Sequence, residues 1–279
     1  MAVGKDLVKW ALRRMGYQLT RLGSPAAAPS VVAAVAVPRG STSAALSQVA
    51  RAGLAPRTVI DVGAAFGEFS RQCFAVFPNA AYLLVEPLEE YTPNLDRLKA
   101  DIPQASVVWA AAAGHEGMRD INVHRDLVGS SLYMEQEDSP VNGTPRRVRT
   151  VSLDDVVGSH RLEPPYLLKV DVQGAELDVL SGGESVLRQV EWAMLEVSFF
   201  EFFRGAGQFE DVFEFMRSRG FVVYDLLEPL YRPLDGALSQ VNAVFVRRES
   251  ALRRHHYYAT REQREEQDRQ LNAIRKQFG

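Results

Sequence analysis

The stretch Thr58–Ser70, reading TVIDVGAAFGEFS, constrains the fold more than any other part of this chain. A β-branched apolar run stops at Asp61, and a turn of small residues follows at Gly63-Ala64-Ala65-Phe66-Gly67 before helix-compatible sequence resumes at Glu68. That is a strand, a tight turn and a helix start. Glycines in such a turn let backbone approach a ligand, and the first N–H groups of the helix point at it. The turn therefore predicts a flat, polar, nucleoside-like ligand.

Composition bounds the rest. A chain of 279 residues, 46% hydrophobic, can bury a large core, and the element pattern below reads as one domain, 41–249, with appendages. A net charge of −3 and a pI near 6.0 give no electrostatic reason to expect a nucleic-acid partner. Cys73 is the single cysteine, so there is no intramolecular disulfide, which fits a reducing, cytoplasmic compartment. No apolar run approaches the ~18 residues that span a bilayer. Arg13, Arg14 and Arg21 interrupt any secretory h-region.

In chain order, residues 1–22 predict an amphipathic helix. Leu7, Val8, Ala11, Leu12 and Met15 fall at helical spacing opposite Lys5, Lys9, Arg13 and Arg14. Such a helix packs on its own core or on a second copy of the chain, or it anchors the protein at a lipid interface. Residues 23–40, rich in Ala and Pro, read as a linker. A short helix, 41–52, ends at Gly53. Strand and helix then alternate: strand 59–62, helix 68–77, strand 82–85, helix 93–100, strand 107–111. Residues 114–151 interrupt the alternation as an antiparallel excursion or flap, or a plain surface hairpin. It resumes with strand 166–170, helix 175–180, strand 192–197, helix 209–219 and strands 221–227 and 242–247. Continuous apolar runs in alternation imply an α/β doubly wound sheet of seven strands, buried on both faces. Its ligand site lies outside the carboxyl ends of the strands, where Asp61 and Glu86 fall. The tail, 250–279, mixes both charge signs and reads as a solvated helix. His255 and His256 are adjacent on it and lack the spacing of metal ligands.

The turn can be weighed against its rivals. A dinucleotide fingerprint needs G-x-G-x-x-G, whereas here Gly63, Ala65 and Glu68 occupy those places, which argues against an NAD-linked dehydrogenase. An acid two residues before the first glycine, Asp61, repels a pyrophosphate and suits a cationic ligand. Glu86, closing the run YLLVEP with Pro87 behind it, can take two ribose hydroxyls on its paired oxygens. Together these point to S-adenosylmethionine.

The runs VIDVGAAFGEFS, LLVEP, TVSLDDVV, YLLKVDVQGAELDVLSG and WAMLEVSF resemble the FkbM-type family of S-adenosylmethionine-dependent methyltransferases over residues 41–247. The resemblance implies a Rossmann-like class I methyltransferase sheet, mostly parallel with its last strand antiparallel, and O-methylation of a sugar, glycan or natural product. It implies that Gly63 and Gly67 belong to the cofactor loop and that Glu86 binds ribose. Ala65 stands where many methyltransferases carry Gly or Asn, and Gln173 where this family often has Glu.

An alcohol needs a general base, or a metal that lowers its pKa, before it can accept a methyl group. Asp171 and Glu196, at the ends of the fourth and fifth strands, are the candidates for base or for Mg²⁺ ligands. Their structural rivals are a helix cap at Asp171 and an arginine partner for Glu196. Lys169 is expected to face away from Asp171. Asp154 and Asp155 read as a helix N-terminus, and His115 and His124 as further candidate bases near the flap. Phe199, Phe200, Phe202 and Phe203 offer core packing or an apolar acceptor wall. A non-catalytic binding or scaffold protein with the same fold is the rival from another class.

Overall fold

The structure is a computed structural model that describes residues 40–137 and 141–278. The expected N-terminal helix, 1–22, and the linker up to residue 39 lie outside the described residues. Helix α1 (Thr42–Arg51) leads into β1 (Thr58–Val62), α2 (Glu68–Phe74), β2 (Ala81–Glu86), α3 (Thr92–Asp101) and β3 (Ala105–Trp109). The excursion follows as β4 (Ala111–Ala112), β5 (Gly117–Val123) and β6 (Thr144–Val151). The chain returns through α4 (Leu153–Ser159), β7 (Tyr166–Val170), α5 (Glu176–Ser181), α6 (Glu184–Leu187) and β8 (Val190–Ser198). It closes with α7 (Phe209–Ser218), β9 (Phe221–Tyr231), β10 (Leu238–Arg247) and α8 (Arg261–Phe278).

Seven strands form one sheet in the order β3-β2-β1-β7-β8-β10-β9. β10 runs antiparallel to both its neighbours, while the pairs from β3 to β8 are parallel. This is the class I methyltransferase arrangement that the resemblance implies. Side chains of a strand alternate between faces, and here each face meets a separate core. Val59, Tyr82, Leu84, Leu167 and Trp192 pack with Leu46 and Val49 of α1 and Leu95 and Leu98 of α3. Ile60, Leu83, Leu168 and Ala193 pack with Val179 and Leu180 of α5 and Val212 and Met216 of α7. That is why these strands read as unbroken apolar runs. Chain order reverses between β1 and β7, so their carboxyl ends open the crevice in which such sheets bind ligands.

Several boundaries differ from expectation. The run 107–111 divides: β3 ends at Trp109, and Ala111–Ala112 pairs with β6 in a second, three-stranded sheet ordered β4-β6-β5. β9 extends to Tyr231 and β10 begins at Leu238, both beyond the apolar cores of their runs, because the two strands carry each other as a hairpin with register shifts. α8 lies exposed over 261–276 and carries ion pairs such as Arg261–Glu265 at 3.0 Å. Among the described residues no helix is long and apolar enough to cross a membrane.

Candidate functional site

The turn after β1 is folded tightly onto its neighbours. Gly63 has φ +71, its N–H donates to the Val85 carbonyl at 2.9 Å, and a Cβ there would collide with the Asp171 carbonyl oxygen. Only glycine lets β1, β2 and the end of β7 meet so closely. Ala65 also adopts a left-handed conformation, φ +47. That accounts for Gly or Asn at this place in many methyltransferases, since an L side chain is disfavoured there. Its N–H donates to Glu86 Oε2 at 2.9 Å, and the Leu88 N–H donates to Glu86 Oε1 at 2.9 Å. Glu86 thus ties the turn to the exit of β2. Burial pushes its carboxyl up to about 7, against the pull of those two N–H groups.

These elements border a cavity of about 620 Å³, its open mouth included. Of the residues expected to bind a cofactor, Gly63, Ala65, Glu86, Pro87 and Asp171 line it. The excursion contributes Ile121, Leu127, Val128, Ser130 and Leu132 to the lining of the same cavity, so it is more than a surface hairpin. Ala64 is buried in the core beside the turn, Gly67 packs against Leu98 of α3, and Phe66 stands 40% exposed with its ring edge on Tyr91.

Asp61 is a correction. It is 0% exposed and lies behind the cavity, where Ser70 Oγ donates to Oδ2 at 2.7 Å and Lys169 Nζ stands 3.5 Å from Oδ1. Burial raises its pKa, with Lys169 the chief opposing influence. It ties β1 to Ser70 of α2 and to Lys169, and it is not among the residues that line the cavity. Lys169 is a second correction. Residues two apart on a strand share a face, so Lys169 points to the same side as Asp171, 3.5 Å from its Oδ2, and donates to the Gly63 carbonyl at 2.7 Å. One buried ammonium therefore links both acids to the turn. Burial opposes its charge, but Asp171 and Asp61 outweigh that and hold its pKa above the usual lysine value.

Asp171 follows Val170, which pairs with Leu195 next to Glu196, so the two acids end adjacent strands as expected. Asp171 is not the cap of α5. The N–H groups of Val172 and Gly174 are taken by Glu176 Oε1, at 3.1 and 3.2 Å, rather than by Asp171. Glu196 Oε2 accepts from the side-chain amides of Gln173 and Gln240, at 2.7 and 3.0 Å. Gln173 Nε2 also donates to Asp171 Oδ1 at 2.9 Å, so one amide bridges the two carboxylates. The backbone of Gln173 is left-handed, φ +54. Where the family often carries a third acid, this chain carries the donor that holds the pair apart. The expected Mg²⁺ site does not fit: N–H groups face both carboxylates, and among the described residues no group of three or more His, Cys, Asp or Glu could hold a metal ion. Glu196 does not line the cavity itself and reaches it only through Gln173.

The remaining candidates sort by contact. Ser152 accepts from the Asp155 N–H as the cap of α4, and Asp154 accepts from the N–H groups of Ser185 and Val186 at the start of α6. Both aspartates are structural. His124 is buried in the excursion with Nδ1 3.7 Å from Glu135 Oε1, and neither it nor His115 lines the cavity. Phe199 stacks on Phe209 and Phe203 is buried, whereas Phe200 lies under the Arg232 guanidinium at 3.8 Å. Several cavity contributors are not legible as site residues in the sequence, Tyr91, Leu127 and Val128 among them. Tyr91 follows Glu86 by five residues, and Leu127 and Val128 precede the GSS run.

With this geometry in place, the sequence matches the family described as Methyltransferase FkbM domain over residues 61–223, more than half of the chain. The chain belongs to this FkbM methyltransferase family. The matched region begins at Asp61 and ends in β9, so it contains the turn, Glu86, the excursion and both strand-end acids. Two curated proteins are similar. The AMB antimetabolite synthetase AmbE of Pseudomonas aeruginosa is 29% identical over 203 residues, covering 59% of this chain and 9% of its own length. The hexuronic acid methyltransferase AglP of Haloferax volcanii is 35% identical over 80 residues, covering 25% of this chain and 34% of its own. The chain thus matches 9% of the first and 34% of the second. Among solved structures, a methyltransferase FkbM from Methylobacillus flagellatus KT aligns at a TM-score of 0.42 with 14% identity, over 67% of this chain and 43% of that one.

Proposed function

We propose that this FkbM-family chain is an S-adenosylmethionine-dependent O-methyltransferase acting on a hydroxyl of a sugar, glycan or glycosylated natural product. The observation that carries the reading is one cavity bordered at once by the Gly63–Gly67 turn, the buried Glu86 carboxylate and the Asp171 carboxylate. An uncrowded backbone turn, a carboxylate suited to paired hydroxyls and a second carboxylate fit a cationic nucleoside better than a pyrophosphate. Gly63, Ala65, Glu86, Pro87 and Asp171 would hold the cofactor. When bound, it supplies a methyl group already activated by its sulfonium.

The chain's own task is then alignment and proton removal. Asp171, which lines the cavity, takes the proton of the acceptor hydroxyl, and Glu196 acts through Gln173, whose amide fixes the direction of the Asp171 carboxylate. The similarity to a hexuronic acid methyltransferase supports a sugar acceptor.

The test is transfer of labelled methyl from S-adenosylmethionine to a panel of hexuronate-bearing glycans. We expect turnover in the wild type and a loss of about 10²-fold or more in Asp171→Asn or Glu196→Gln, with donor affinity kept within a few-fold in Glu196→Gln. Unimpaired turnover in both variants would remove the acids from the chemistry. Donor binding with no transfer to any glycan would favour the non-catalytic scaffold.

A further inference from the structure

Among the described side chains that line the cavity, only Tyr91 carries a buried polar atom with no hydrogen-bond partner: its phenolic hydroxyl. The residue is 2% exposed and lies between β2 and α3, with its N–H donating to the Leu88 carbonyl at 3.1 Å. Its ring is set edge-on against Phe66 of the glycine turn, centroids 4.9 Å apart and planes at 79°. A phenol has a donor and acceptor capacity to fill, and a buried one left unfilled is unusual in folded proteins. Burial first, and then the charges of Glu86, Asp126, Asp171 and Glu90, push its pKa upward, so it stays a neutral O–H donor at ordinary pH. The cavity residues nearest it in sequence are Glu86, Pro87 and Leu88, at the exit of β2.

We propose that the Tyr91 hydroxyl is a binding contact for the nucleoside part of the donor, hydrogen-bonding an acceptor atom of its ribose or base. The assignment rests on the S-adenosylmethionine reading above. It gives Tyr91 the ligand partner that the protein itself does not supply. It also places that contact beside Glu86, so that one end of the cavity holds an acceptor for ribose hydroxyls and a donor in the same wall.

The experiment compares wild type with Tyr91→Phe, which deletes one oxygen and keeps the ring against Phe66. Calorimetric titrations use two probes, S-adenosylhomocysteine and 5′-methylthioadenosine, the second lacking the amino-acid portion. Thermal denaturation is recorded on the free proteins. We expect the variant to bind both probes about tenfold more weakly, with a free-protein Tm equal to or above that of wild type. Unchanged affinity in a variant whose wild type binds overturns the Tyr91 contact and leaves the cofactor reading standing. Weakened S-adenosylhomocysteine binding with unchanged 5′-methylthioadenosine binding overturns the nucleoside assignment. A lowered Tm in the free variant shows a structural partner for the hydroxyl and also overturns it. A wild type that binds neither probe removes the cofactor reading itself.

Discussion

Lys169 shows how much a single buried charge decides here. Its ammonium stands between Asp61 and Asp171 and reaches the Gly63 carbonyl, so removing it strands a wholly buried carboxylate. Breaking a buried pair from one side costs about 3–5 kcal/mol, and we expect Lys169→Met to lose roughly that much in chemical denaturation. A loss under about 1 kcal/mol would show that Asp61 does not depend on it. Glu176 offers a test by pH. Burial pushes its carboxyl up to about 7, while Oε1 accepts two backbone N–H groups. An acid whose folded pKa is raised gives its full stability below the usual carboxylate range and loses it as pH rises toward 7. We expect roughly 3 kcal/mol of wild-type stability to disappear over that interval. Glu176→Gln keeps an oxygen for both N–H groups and mimics the protonated acid, so it should not show that fall. Parallel pH profiles for the two proteins would contradict this. The residue types at these positions were plain in the sequence, but their partners were not. The expectation that Lys169 faces away from Asp171 fails because residues two apart on a strand share a face.

At the scale of elements, the excursion has the most to explain. Ser131 Oγ donates to the Gln173 carbonyl at 2.6 Å, the Gln136 N–H donates to the Phe202 carbonyl at 2.7 Å, and the Arg204 N–H donates to the Met134 carbonyl at 2.8 Å. The segment is thereby pinned to the loops after β7 and β8 while lining the cavity from the other side. Removing the Ser131 latch should loosen it. We predict that Ser131→Ala raises amide hydrogen exchange across residues 124–137 by about tenfold, with the exchange of β1 and β7 unchanged; equal exchange in both proteins would mean the latch holds nothing. The strands of the main sheet were legible because each is an apolar run buried on two faces. Antiparallel character at 114–151 was legible from alternation and turn residues. That this segment borders the same cavity as Glu86 was not, because the contacts join residues more than forty positions apart, as Ser131 and Gln173 do.

For the molecule as a whole, two apolar cores on opposite faces of the sheet leave the carboxyl ends of β1, β2, β7 and β8 as the place where polar groups collect. Asp61, Glu86, Asp171 and Glu196 all lie within two residues of those strand ends, which is why the carboxyl edge was legible as the candidate site before the partners of each acid were. Asp61 lies behind the turn, Glu86 and Asp171 line the cavity, and Glu196 joins them through Gln173. If Glu86 must give up its proton to receive ribose hydroxyls, donor affinity depends on pH with a definite sign. Below about 7 the free protein holds that proton, and binding weakens about tenfold for each further pH unit. The decisive measurement is a calorimetric titration of the whole chain with S-adenosylhomocysteine at pH 8 and at pH 6. We predict saturable one-site binding at pH 8 that is about tenfold weaker at pH 6; no saturable heat at pH 8 would contradict the assignment of this crevice to a sulfonium nucleoside.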